Sequence, residues 1–131
     1  PGCIFAEMLG RRPLLQGSTT IQQLQLIVKL LGTPDESAMT FITDKGAREA
    51  VDSLGIRAPL RLESLFPDVP NVALDLLSQL LIWDPAARAT VDDALNHPFL
   101  RPLHDRIADD VAEGPFDFSF ESGYPEGMPA A

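Results

Sequence analysis

Between Asn71 and Leu100 the chain reads NVALDLLSQLLIWDPAARATVDDALNHPFL, and no other stretch restricts the fold as strongly. Asp75, Ser78 and Gln79 stand three and four residues apart, leaving Ala73, Leu74, Leu76, Leu77, Leu80, Leu81 and Trp83 as a wide apolar surface at helical spacing. Such a helix, predicted over Asn71 to Trp83, must be largely covered by the rest of the chain. Asp84-Pro85 is expected to end it, because Pro85 lacks an amide hydrogen and disfavours helical geometry at Asp84. Thr90, with Asp93 three residues on, is close to a capping box for a second short helix whose apolar face is Val91, Ala94 and Leu95; His97-Pro98 closes it.

The flanking segments supply the cover. Gly2 to Leu9 carries only one charge, Glu7, which predicts a helix buried nearly all round, Cys3 included, with Gly10 left-handed after it and Arg11 and Arg12 complementing its dipole. Ser18 or Thr19 can cap the next helix with Gln22 in support, and Ile21, Leu24, Ile27, Val28 and Leu31 form its stripe up to Gly32. Thr33-Pro34-Asp35-Glu36 reads as the start of a short helix through Phe41-Ile42, with Thr33 as N-cap. A turn at Asp44-Lys45-Gly46 and a helix over Ala47 to Leu54 follow, stopped by Gly55. Ile56 to Pro70, with Pro59, Pro67 and Pro70, reads as a connector pinned by Leu62, Leu65 and Phe66. No segment has the signature of a strand, so the expected class is all-α.

Charge and composition narrow the function. With 131 residues and 45% hydrophobic content the chain supports one modest core. A net charge of −9 argues against nucleic acid and anionic lipid as partners. No apolar run reaches the roughly 18 residues of a membrane span and no signal peptide opens the chain, so the cytoplasm or nucleus is the expected location. Cys3 has no second cysteine to pair with, and His97 and His104 have none beside them, so neither a disulfide nor a metal site is expected. From Arg101 onward seven acidic residues face only Arg101 and Arg106, and 122–131, rich in Gly and Pro, is expected to be disordered. The chain begins at Pro1 rather than Met, which suggests a processed, partial or mispredicted product.

The pattern ALDLLxxLLxxDPxxRxTxxxALxHPFL resembles the end of the large lobe of eukaryotic protein kinases, most closely the MAP kinase group. GCIFAEMLGRRPL, IQQLQLIVKLLGTP, AREAVDSL and LFP match in the same order, and PFDFSFE at Pro115 to Glu121 is similar to the MAP kinase C-terminal extension, the fungal cell-wall-integrity type being the candidate subgroup. The resemblance implies a truncated C-terminal half of a large lobe over 1–100, with the MAP kinase insert at about 33–55, then an extension over 101–121 and the tail. A MAP kinase transfers the γ-phosphate of Mg-ATP to Ser/Thr-Pro sites. That chemistry needs a glycine-rich loop, a phosphate-reaching lysine, an HRD aspartate and a DFG aspartate, and none of these motifs occurs here. The expectation is a non-catalytic portion that needs no cofactor itself and supplies scaffold and docking surfaces. The alternatives are a stand-alone helical interaction module and an incomplete gene product without activity.

Several residue roles follow from the resemblance alone. Arg88 stands where the family pairs an arginine with the glutamate of an APE motif; without that partner it is a solvated charge, and Arg88→Met is expected to be neutral or stabilising. Trp83 and Asp84 are expected to be structural beside it. LHDRIADD resembles the acidic docking site for basic motifs of cascade partners, with Asp105, Asp109, Asp110 and Glu113 as its acids, although Ala108 and Arg106 depart from the pattern. A hydrophobic docking pocket for FxFP-type motifs would fall at Thr20, Ile21, Leu24 and Ala50, without the tyrosines the family often has at the first and last of these; Ile21 and Leu24 read better as core. The other expected partner is the N-terminal part of the kinase.

Overall fold

In the structure, a computed structural model that describes residues 1–104 and 114–119, the first half of the Asn71–Leu100 stretch is buried, whereas its second helix has no buried residue and Val91, expected on its apolar face, is 72% exposed. The helices are α1 (Gly2–Gly10), α2 (Thr20–Leu31), α3 (Lys45–Asp52), α4 (Leu62–Leu65), α5 (Asn71–Leu80), α6 (Val91–Asn96) and α7 (Arg101–His104). Among the described residues there is no strand, and the fold is all-α.

The core forms where α5 meets α1 and the connector. Ala73, Leu74, Leu76 and Leu77 of α5 are buried, and Leu74 and Leu77 cluster with Ala6 of α1 and Phe66. Phe5, Leu9, Leu14, Leu62, Leu65, Val69 and Leu81 pack around them, so the connector is pinned by the residues its sequence marks. Each fully buried leucine contributes about 1.5–3 kcal/mol, which makes this seam the main source of stability.

Helix α5 stops at Leu80, three residues short of the Trp83 expected from sequence. Tertiary hydrogen bonds claim the backbone first: Ala89 N–H donates to the Gln79 carbonyl at 3.1 Å, and Arg88 donates to the Ile82 carbonyl through Nε at 3.3 Å and Nη2 at 2.9 Å. These partners satisfy carbonyls near the helix end that further turns would otherwise have used.

Helix α1 is not buried nearly all round. Only Gly2 and Ala6 are buried, Cys3 is exposed, and Ile4 and Met8 are 67% and 74% exposed. One face packs against α5 and Phe66, and nothing among the described residues covers the other. Gly2 allows the close approach, since a Cβ there would lie 2.9 Å from Leu81 Cδ2 and 3.1 Å from the Leu80 carbonyl oxygen. The left-handed position after the helix belongs to Arg11, with φ of 53°, rather than to Gly10, whose own Cβ position is crowded by Phe66 Cε1 at 2.8 Å.

Helix α2 begins as the sequence indicates: Thr19 Oγ1 accepts from Gln22 N–H at 3.1 Å. The Gln22 side chain reaches back to Ser18 N–H at 3.1 Å, one residue earlier than a capping box requires. Val28 and Leu30 are its buried residues. Gly32 ends it with φ of 77°. The helix expected from Thr33 to Ile42 is replaced by turns. Thr33 is taken by the chain around Gly55 and Arg57, donating from Oγ1 to the Gly55 carbonyl at 2.8 Å and accepting Arg57 N–H at 2.9 Å. Asp35 Oδ1 holds the turn instead, accepting from Ala38 N–H at 2.8 Å. Helix α3 starts at Lys45 rather than Ala47 because Asp44 caps it, accepting from Ala47 N–H at 2.7 Å. Arg48 fastens the turns to α3 by donating to the carbonyls of Ile42 at 2.7 Å and Met39 at 2.9 Å.

Candidate functional site

The residues singled out from sequence fall in three places. Asp105, Asp109, Asp110 and Glu113, the acidic docking candidates, lie outside the described residues.

The hydrophobic docking candidates sit on the first turns of α2. Leu24 is half-buried, and it lines a shallow groove with Gly17, Ser18, Thr20, Gln23 and Ile27. Ile21 is 54% exposed, so it is not core. Neither Ile21 nor Ala50 lines that groove. The four positions therefore do not form one pocket here, and the apolar character is that of one helix edge.

The third place is the turn between α5 and α6. Trp83 donates from Nε1 to the Gly32 carbonyl at 3.0 Å, tying this turn to the end of α2. Asp84 Oδ1 accepts from Ala86 N–H at 2.8 Å, which fixes the turn at Pro85. Arg88 is exposed and spends its guanidinium on the Ile82 carbonyl. It lines a mostly apolar cleft of about 250 Å³ with Cys3, Ile4, Ile27, Leu31 and Leu81. All three residues organise backbone, and none is poised to transfer a proton or attack an electrophile.

His97, read from the sequence only as the close of α6 and as an unaccompanied histidine, is buried at 6% exposure. Its Nδ1 accepts from Phe99 N–H at 3.2 Å. The ring proton therefore sits on Nε2, which donates to Asp75 Oδ2 at 3.0 Å. One imidazole thus links α5 to the turn after α6. Spacing could not have shown it, because the partners are 22 residues apart. Below it, Thr90 and Asp93 form the expected capping box. The Thr90 hydroxyl first, and then the Thr90 N–H, hold the Asp93 carboxyl below the ordinary carboxylate range.

ATP and magnesium, implied for a kinase, find no matching residues in this chain: the phosphate-binding and metal-binding motifs are missing from the sequence, and no three His, Cys, Asp or Glu side chains converge among the described residues. Among the described residues no helix is long and apolar enough to cross a membrane.

No family model matches the chain. Individual relatives do. The chain is 48% identical over 120 residues to mitogen-activated protein kinase spm1 of Schizosaccharomyces pombe, covering 92% of this chain and 28% of the relative. It is 46% identical over 121 residues to mitogen-activated protein kinase homolog NTF6 of Nicotiana tabacum, covering 92% and 32%. With mitogen-activated protein kinase 4 of Arabidopsis thaliana the identity is 42% over 120 residues, again 92% and 32%. The chain spans about a third of the length of the curated relatives it matches.

Proposed function

The chain is a C-terminal portion of a MAP kinase, and from that premise we propose that it serves a Ser/Thr protein kinase as non-catalytic scaffold and docking surface. The observation that carries this reading is the match along 92% of the chain to relatives it only partly spans, together with a sequence that lacks every nucleotide-handling motif. The whole kinase transfers the γ-phosphate of Mg-ATP to Ser/Thr-Pro sites in a signalling cascade, in the cytoplasm or nucleus. This portion, with residues 33–55 as the MAP kinase insert, supports the part that does so.

The exposed face of α1, with Ile4 and Met8, is the surface on which the N-terminal part of the kinase packs. Asp105, Asp109, Asp110 and Glu113 receive short basic motifs of cascade partners, an attraction that weakens as salt rises. Titrating a labelled basic docking peptide into the chain at low and high salt tests this. Saturable binding at low salt, lost at high salt and on Asp109→Asn/Asp110→Asn, is the expected result; no binding at low salt removes the docking role.

A further inference from the structure

A cleft lined mostly by polar side chains lies along α2, and its chemistry is opposite to that of the acidic tail. Gln16, Gln22, Gln25, Lys29 and Arg57 line it over a floor of Leu26 and Leu54, and it encloses about 440 Å³. No aspartate or glutamate lines it, although the chain as a whole carries a net charge of −9. The ion pairs of the described residues use Lys45, Arg48 and Arg61, and leave Lys29 and Arg57 without a carboxylate. Lys29 sits in the last turn of α2, where a cation complements the helix dipole. The Arg57 main chain is anchored to Thr33, while its side chain makes only a long contact of 3.5 Å from Nε to the Leu54 carbonyl. An anchored backbone with a free guanidinium suits an oxyanion ligand.

We infer that this cleft is a binding site for a phosphate monoester carried on an extended peptide. The two cations supply charge for a dianion, the guanidinium in forked geometry and the ammonium as a point charge. The glutamines select the carrier. A carboxamide presents both a donor and an acceptor, the complement of a peptide bond. Gln22 already uses its oxygen on Ser18, which leaves its amide hydrogens for a peptide carbonyl. A bilayer is a poor carrier, because a molecule of charge −9 is repelled by an anionic surface. The site goes beyond the docking role proposed above, since it recognises negative rather than basic peptides, and it does not depend on the tail.

Fluorescence anisotropy on the full chain tests the site, using a short labelled Gly/Ser/Ala peptide with one central phosphoserine and the same peptide unphosphorylated. The phosphopeptide is expected to bind at least about tenfold more tightly. Lys29→Gln and Arg57→Gln are each expected to weaken it by about tenfold, the scale of one charge-assisted contact. Lys45→Gln, removing a cation outside the cleft, is expected to leave it unchanged. Both cleft residues are exposed, and circular dichroism verifies that the variants stay folded. Equal affinity for the two peptides, equal loss at Lys45, or preference for phosphoinositide vesicles over the phosphopeptide overturns the inference. Loss of basic-peptide binding with phosphopeptide binding intact overturns only the tail's role.

Discussion

His97 illustrates how much one side chain can hold. It is buried, and its two ring nitrogens serve Phe99 N–H and the Asp75 carboxylate. His97→Leu keeps the volume but strands the partly buried Phe99 N–H, and a loss of about 1–3 kcal/mol is expected. Asp75→Asn is expected to lose less than about 1 kcal/mol, because Asp75 is 63% exposed and asparagine keeps an acceptor. Chemical denaturation of the two variants checks the order, and equal losses would show that the contact with Asp75 is the larger of the two. Arg88 deserves a similar comparison. Bonded to the Ile82 carbonyl yet exposed, it should make Arg88→Met a loss of up to about 1 kcal/mol, not the gain expected when the arginine is read as a solvated charge. A raised melting temperature would restore that earlier reading.

At the scale of elements, the capping box of α6 carries a pH dependence. The Asp93 carboxyl, held by Thr90, titrates below the ordinary value of 3.8. A carboxyl depressed by folding stabilises the folded state above its unfolded value and withdraws that support as pH falls through the folded value. Amide protection at Ala94 and His97, the observed exchange rate set against the intrinsic rate at each pH, is therefore expected to hold down to roughly pH 4 and fall below it, with Asp93→Asn removing the dependence. A loss of protection already near neutrality would assign it to another group. This box was legible in the sequence because all its partners lie within four residues, as were the caps of α2 and the apolar face of α5. The helix expected from Thr33 was not, because its cap residue is claimed by Gly55 and Arg57, more than twenty positions away. The end of α5 was missed because the backbone there is claimed by Ala89, ten positions on from Gln79, and by Arg88, six on from Ile82, spacings that no helical pattern marks. The hydrophobic docking positions failed differently: their spacing places Ile21 and Leu24 on one helix, but says nothing of whether Ala50 comes to meet them.

For the whole molecule, α1 separates the behaviour of this chain from that of a complete kinase. Its sequence reads as buried on all sides, yet Ile4 and Met8 are 67% and 74% exposed, one turn apart on one face. That mismatch is what a helix shows when part of its cover lies in another portion of the protein. Ile4→Lys with Met8→Lys is therefore expected to leave the stability of the chain alone within about 0.5 kcal/mol, as for ordinary surface positions, while reducing dye binding and self-association by removing an apolar patch. In a full-length kinase carrying this portion, the same pair is expected to face the N-terminal part. There each lost side chain should cost about 1.5–3 kcal/mol in apolar burial alone, with the added penalty of unpaired buried ammonium groups. Thermal melts of both proteins, wild type and doubly substituted, read the difference directly. A large loss in the chain alone would mean that the face is already covered within it, and a negligible loss in the full-length enzyme would mean that the N-terminal part packs elsewhere.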